Sequence, residues 1–278
     1  MELTPAVTLA VLGAALLHAA WNALIKSGRE PLLDTALIAL GGTLVALPLL
    51  PLVPAPEPAS WPYLAASVAV HLGYYTALAG AYKAGDLSHG YPIMRGTAPL
   101  LVAAASVLWF GETLPSAAWA GVLLISGGVL SLGMAGGGAS RRATGWALLN
   151  ALIIAAYTIA DGAGVRLAGS PEGYVVWLFL FLGLPFGLAV LAIKRGEFLH
   201  HALRHWSRGL AGAVLSGLSY GIALWAMTRA PVAVVAALRE TSVIFAALIG
   251  AWFLKEGHLR ERLAGAAVVF AGLVALRL

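Results

Sequence analysis

The chain has 278 residues, 60% of them hydrophobic and only 10% charged, with no cysteine and a net charge of +5. A soluble domain carries about 25% charged residues and a disordered chain has low hydrophobicity, so both classes are excluded. So are a disulfide framework, a thiolate metal site and a cysteine nucleophile. A membrane span takes about 20 mostly apolar residues. Ten stretches qualify: 5–26, 34–53, 61–83, 88–110, 115–134, 144–166, 173–193, 208–228, 231–253 and 261–277. The first is long enough to cross, and no Ala-x-Ala-like cleavage site leads into a soluble domain, so it is expected to remain as a span. It carries His18, Asn22 and Lys26 four residues apart, one polar ridge along a helix, with Trp21 beside Asn22. The third places His71 with Tyr74 and Tyr75. The fourth holds Tyr91 and Arg95 one turn apart, and Pro92 and Pro99 are expected to weaken its hydrogen-bond ladder beside Arg95. The sixth carries Tyr157, and Asp161 nearer its outer end, where water can reach it. The connection from Lys194 to Arg208, with His200, His201 and His205, reads as a short amphipathic segment resting on anionic lipid. Tyr220 and Trp225 lie in the eighth span, Arg239 and Glu240 in the ninth.

Of the 17 Lys and Arg, twelve fall in loops that follow odd-numbered spans, three fall on the other side, and Arg95 and Arg239 lie within spans. The positive-inside rule then places the odd loops in the cytoplasm and both termini outside. The same bias explains the basic net charge better than nucleic-acid binding does.

A shift of 144 residues aligns Arg95-Gly-Thr97 with Arg239-Glu-Thr241, Glu112 with Glu256, Gly121 with Gly265 and Gly128 with Gly272. With small gaps, Ala-Ala-Trp21 matches Ala-Ala-Tyr157 and Lys83-Ala matches Arg229-Ala. The chain reads as two five-span copies, residues 1–139 and 140–278. Five is odd, so the second copy enters the membrane inverted. Loop charge agrees: residues 54–60 contain no Lys or Arg, while the equivalent connector after the seventh span holds four. The fold class is an all-α polytopic membrane protein, ten transmembrane helices in two inverted five-helix repeats. Such pairs are a recurrent design of alternating-access transporters.

These residues resemble the EamA-type branch of the drug/metabolite transporter superfamily, over nearly the whole chain. The matching parts are Ala98-Pro99-Leu100 and Gly111-Glu112 in the first unit, Arg239-Glu240-Thr241-Ser242-Val243 and Lys255-Glu256 in the second, and the Trp21-Asn22 pair. The Pro usual after the Glu is replaced by Thr241-Ser242. The resemblance implies a permease of the bacterial inner membrane, often an exporter, with a central cavity between the units.

An arginine within a span costs about 2.5–3.5 kcal/mol on insertion scales and faces the bundle interior or water. Arg95 lies about a third of the way in from the cytoplasm and Arg239 a third in from outside. Two guanidiniums on a shared cavity suit a carboxylate or phosphate; the alternative is structural pairing with Glu240 or Asp161. Those two acids could exchange a proton, hold an ammonium group, or neutralise an arginine, with neutralisation favoured for Glu240. His18, Trp21, Asn22, His71, Tyr75, Tyr91, Tyr157 and Trp225 are candidate cavity-lining residues; packing is the alternative for each. No His-Glu-x-x-His or similar spacing calls for a metal, and no cofactor is implied. The functional expectation is a secondary permease, an exporter of a small anionic or zwitterionic metabolite such as an amino acid. The alternative is a lipid-linked carrier or flippase holding a phosphate headgroup. Partners are the substrate, membrane lipid and, as coupling ion, protons, with no nucleic acid; direction, substrate and oligomeric state are not legible. The chain lacks a P-loop and a Gly-x-Ser-x-Gly elbow, so an enzyme is not expected.

Overall fold

The helix starts are written in local chemistry. Thr4 accepts the Val7 N–H at 3.3 Å with Pro5 in the first turn, opening α1 (Pro5–Lys26). Ser170 accepts the Gly173 N–H at 3.0 Å ahead of α7 (Pro171–Ile193). Both satisfy a donor that the first turn leaves orphaned, and Pro at the start loses no bond. The computed structural model describes the backbone of residues 3–84, 87–134, 141–252 and 259–276. Side chains of residues 75–76, 78–89, 133–134, 247, 250–252 and 259–263 lie outside that description. The first half continues with α2 (Pro31–Ala46), α3 (Trp61–Ala84), α4 (Leu87–Phe110) and α5 (Ser116–Met134). The second half holds α6 (Arg141–Leu167), α7, α8 (Arg195–Met227), α9 (Val232–Arg239), α10 (Ser242–Trp252) and α11 (Leu259–Ala275). No strand occurs among the described residues. Six segments are long and apolar enough to cross a membrane: Pro5–Lys26, Pro31–Leu52, Gly90–Phe110, Arg141–Leu167, Pro171–Ile193 and Arg195–Met227.

Three elements depart from the sequence reading. The fourth span is one continuous helix with Pro92 and Pro99 inside it; its packing against α5 and α6 holds it together. The break falls instead in the ninth span, between α9 and α10, where Glu240 and Thr241 are not α-helical. There the Glu240 and Thr241 N–H groups bond back three residues, to Ala237 at 3.0 Å and Leu238 at 3.1 Å. The Thr241 hydroxyl also donates to the Leu238 carbonyl at 2.7 Å. A hydroxyl competing for the backbone and tight three-residue bonds end an α-helix without leaving a polar group bare. The segment before the eighth span is itself helical, joined to it across a kink at His205 (φ −122°, ψ 17°). At the α7–α8 junction the exposed Lys194 donates to Glu197 at 2.6 Å, and that bond, then the carboxylate's charge, raises the pKa of the ammonium.

Contacts fix the sense of the helices. Arg208, near the start of the buried part of α8, donates to the Leu24 carbonyl and, at 2.7 Å, to Ser27 Oγ beyond the end of α1. Arg166, at the end of α6, donates to the Met227 carbonyl at the end of α8 at 2.8 Å. So α1 runs against α8 while α6 runs with it, and the corresponding first helices of the two halves are antiparallel. We call the end bearing Lys26, Arg29 and Arg208 the basic end. Helices α5 and α11 meet through the repeated glycines: a Cβ on Gly121 would stand 2.9 Å from the Gly272 oxygen, and one on Gly128 3.0 Å from the Gly265 oxygen. The reverse approaches are 2.9 Å from Gly272 to Gly121 and 3.1 Å from Gly265 to Gly128. Small residues permit backbones to come this close. Gly128→Leu or Gly272→Leu therefore should lower stability by about 1–3 kcal/mol, the range for overpacking, while Gly127→Leu, with open space around it, should be nearly silent. Unfolding in detergent reads both.

Candidate functional site

The α9–α10 break puts two charges in the middle of the bundle. Helix α9 starts at the end opposite the basic end, so Arg239 stands about 10 Å inside. Arg95 on α4 reaches Glu240 through two contacts, Nε to Oε2 at 3.0 Å and Nη2 to Oε1 at 2.9 Å. Both side chains are buried. The Nε hydrogen bond and the Nη2 ion-pair contact together neutralise Arg95, though Nη2 itself makes no hydrogen bond. Glu240 thus faces Arg95 across the repeats and not its sequence neighbour. Arg239 is different. Its guanidinium lies over the Tyr220 ring, 5.0 Å from the centroid, and among the described residues no carboxylate stands within ion-pair distance of it.

Both arginines line one cavity of about 530 Å³. It runs from Arg239 and Tyr157 toward the basic end, where Ile25, Pro31, Leu32 and Phe186 border it. The other end of the bundle is filled by apolar core that includes Val165, Leu224, Met227 and Val232. One wall is polar. His18, Trp21 and Asn22 come from α1, with Trp21 edge-on to His18 at 5.3 Å and the Asn22 amide donating to the His18 carbonyl at 2.8 Å. His71 and Tyr74 come from α3 and Tyr91 from α4. His71 donates through Nδ1 to the Ser67 carbonyl at 2.8 Å and stacks on Tyr157 at 4.0 Å. The other wall is apolar and comes from α2 and α7: Leu32, Ile38, Ala39, Phe179, Leu182 and Phe186.

Asp161 lies behind this cavity, not in it. Its Oδ1 accepts the Tyr174 hydroxyl at 2.9 Å and its Oδ2 accepts the Tyr220 hydroxyl. It has no solvent exposure, which corrects the expectation of an outer, water-facing carboxylate. Gly164 makes room for this: a Cβ there would stand 2.5 Å from the Tyr174 hydroxyl. Trp225 is not among the lining residues; Arg229 stacks over its ring at 4.6 Å. The Tyr75 side chain, Lys255 and Glu256 lie outside the described residues.

The sequence reading missed the apolar wall, Asp34 and the role of Tyr220 as a link. For α7 a signal existed in Gly183 and Gly187, spaced for close approach; Cβ atoms there would meet the Ala39 carbonyl at 2.0 Å and the Leu40 side chain at 2.1 Å. Asp34 Oδ1 accepts from His201 Nε2 at 2.9 Å near the basic end, and no spacing in the sequence joins residues so far apart. The Gly-Glu motif that closes the fourth span has a visible purpose. Gly111, with φ +63°, ends α4 in the left-handed region. Glu112 then reaches Arg166 at 2.7 Å and accepts the Val232 N–H of α9 at 3.0 Å. Glu112→Ala takes the carboxylate from the mostly buried Arg166 and leaves it only neutral partners such as the Met227 and Ala230 carbonyls; breaking a buried pair costs up to about 3–5 kcal/mol, and a lowered unfolding temperature should show it. No cluster of three or more metal-ligating side chains occurs among the described residues.

The model of the EamA-like transporter family matches residues 5–134 and 141–278. A solved crystal structure of a protein 20% identical to this chain shares its fold, with a TM-score of 0.73 over 97% of this chain and 96% of the other. Among curated proteins none matches.

Proposed function

The chain belongs to the EamA-like transporter family, a membrane transporter family of the drug/metabolite superfamily, and from that premise we propose that it is a secondary permease exporting a small anionic or zwitterionic metabolite. Ten spans in two inverted units, residues 1–139 and 140–278, rock about the cavity and expose it to alternate sides. The single observation that carries the substrate charge is Arg239, a mid-bundle guanidinium facing the cavity with no carboxylate partner among the described residues. The apolar wall of α2 and α7 supports a substrate with an apolar body behind its acidic group, as in an amino acid with a hydrophobic side chain. His18, Asn22 and Tyr91 would contact its polar atoms. Membership in a transporter family favours transport over catalysis. The positive-inside rule makes the basic end cytoplasmic and the termini periplasmic in a bacterial inner membrane.

A second reading has its own observation. Leu32, in the first turn of α2, lines the cavity and is 48% exposed, so the cavity is open beside α2 at the basic end. That favours a lipid-linked carrier whose phosphate meets Arg239. Protein reconstituted in liposomes separates the readings. Saturable counterflow of amino acids or small carboxylates supports the permease. Movement of short-chain phosphatidylglycerol or polyprenyl phosphate, with none of the soluble solutes moved, supports the flippase and overturns the permease.

A further inference from the structure

The buried carboxylates divide by their partners. Glu240 is paired with Arg95, Glu112 with Arg166, and Asp34 with His201. Asp161 has hydroxyl donors in place of a cation among the described residues, the Tyr174 and Tyr220 phenols and the Ser67 hydroxyl, and no exposure to solvent. A carboxylate held in an apolar interior by hydrogen bonds alone is the one whose charge is costliest to keep. The arginines divide likewise among the described residues, with Arg95 paired to a carboxylate and Arg239 not. One side chain joins the unmatched acid to the unmatched base: Tyr220 gives its hydroxyl to Asp161 and lays its ring under Arg239. It also lines the cavity.

We propose that Asp161 is the proton-binding group of the transport cycle, and that Tyr220 couples its protonation to the occupancy of Arg239. This rests on the permease reading and adds to it a coupling ion and a route. With the cavity empty, Arg239 supports the negative charge of Asp161 across the Tyr220 ring. An anion that binds Arg239 cancels that support. A proton from cavity water then adds to Oδ2 of Asp161, and the Tyr220 hydroxyl turns from donor to acceptor. Anion and proton leave together, one charge cancelling the other. Coupling is reciprocal, so a protonated Asp161 frees Arg239 for an anion. Among the described residues, the groups that face Asp161 are Tyr174 from α7, Tyr220 from α8, and Ser67 and His71 from α3, the last close enough to act on its charge. Tyr157 lies one turn back on α6, stacked on His71. His71 gives Nδ1–H to the Ser67 carbonyl and so faces Asp161 as a neutral neighbour unless it gains a proton itself.

The test needs no substrate. Infrared difference spectra of the protein in lipid films, stepped from about pH 8 to about pH 5, report each carboxyl that takes up a proton. The wild type should show a protonated-carboxyl band on acidification, and Asp161→Asn should lack it. Tyr220→Phe removes a donor to the ionised form, so its band should grow in at higher pH. Arg239→Gln mimics anion occupancy by removing the cation, and should move the band the same way, by about one pH unit. If Asp161→Asn does not fold, Tyr220→Phe and Arg239→Gln still decide, since both keep the carboxyl. A wild-type band that survives in Asp161→Asn overturns the proposal, as does a band unmoved by Arg239→Gln. Liposomes that move solute while Asp161 never titrates leave the permease standing and remove the proton; a titrating Asp161 in a protein that moves no solute removes the permease.

Discussion

Arg239→Gln lowers solute affinity and transport about a hundred-fold or more, with little change in unfolding temperature. The loss follows from removing a charged donor from a desolvated site, which costs about 2–5 kcal/mol of binding, or roughly 30- to 4,000-fold. The spared stability follows from the geometry. Arg239 meets a ring and a cavity, and no carboxylate among the described residues is left behind when it goes. Arg239→Lys keeps the charge but loses the planar fork and its stacking on Tyr220, so it should recover only part of the affinity. Counterflow in liposomes and thermal unfolding in detergent measure the two halves of this prediction. An Arg239→Gln protein that transports normally leaves the substrate-charge argument without support.

Glu240→Leu has the opposite profile. It leaves the Arg95 guanidinium buried without its carboxylate, and stranding a buried charge costs about 3–5 kcal/mol. A lysine could shed its proton under such conditions; an arginine cannot. The reverse variant, Arg95→Met, should be milder, because Glu240 can take up a proton and remain as a neutral acid. Replacing both, Arg95→Met with Glu240→Leu, should regain most of the lost stability, since an apolar pair substitutes for a buried ion pair at little net cost. A double variant no more stable than Glu240→Leu alone would mean that the ion pair is not what the single substitution breaks.

The helical architecture was legible because hydrophobic stretches of span length, separated by Pro, Gly and charge, leave few alternatives. The 144-residue shift was more informative than any single motif. It paired Gly121 with Gly265 and Gly128 with Gly272, and those glycines are the ones that touch between α5 and α11. It also paired Arg95 with Arg239, which border one cavity. What could not be read was the asymmetry within that pair. A single glutamate, Glu240, follows Arg239 where Gly96 follows Arg95, and it reaches across the repeats to the other arginine. Partner choice of that kind depends on helix rotation and depth, which a linear pattern does not contain. The proline rule misled for a related reason. Pro92 and Pro99 sit in a helix held by neighbours on two sides, while Thr241 and Ser242, standing where a proline would, end α9 through hydroxyl and three-residue bonds. The apolar wall of α2 and α7 stayed hidden because a wall of leucine, isoleucine and phenylalanine looks the same in sequence whether it faces lipid or a cavity.

Alternating access requires a cavity that opens at one end as it closes at the other. The cysteine-free chain permits spin labels at two pairs: Arg29→Cys with Arg204→Cys at the basic end, and Thr113→Cys with Arg229→Cys at the opposite end. All four positions are exposed. Pulsed dipolar distances in lipid nanodiscs, recorded across pH and with candidate solutes, should show two populations at each end. Conditions that lengthen one distance should shorten the other. A single unchanging distance at both ends, or two ends that widen together, would contradict alternating access and with it the transport mechanism set out here.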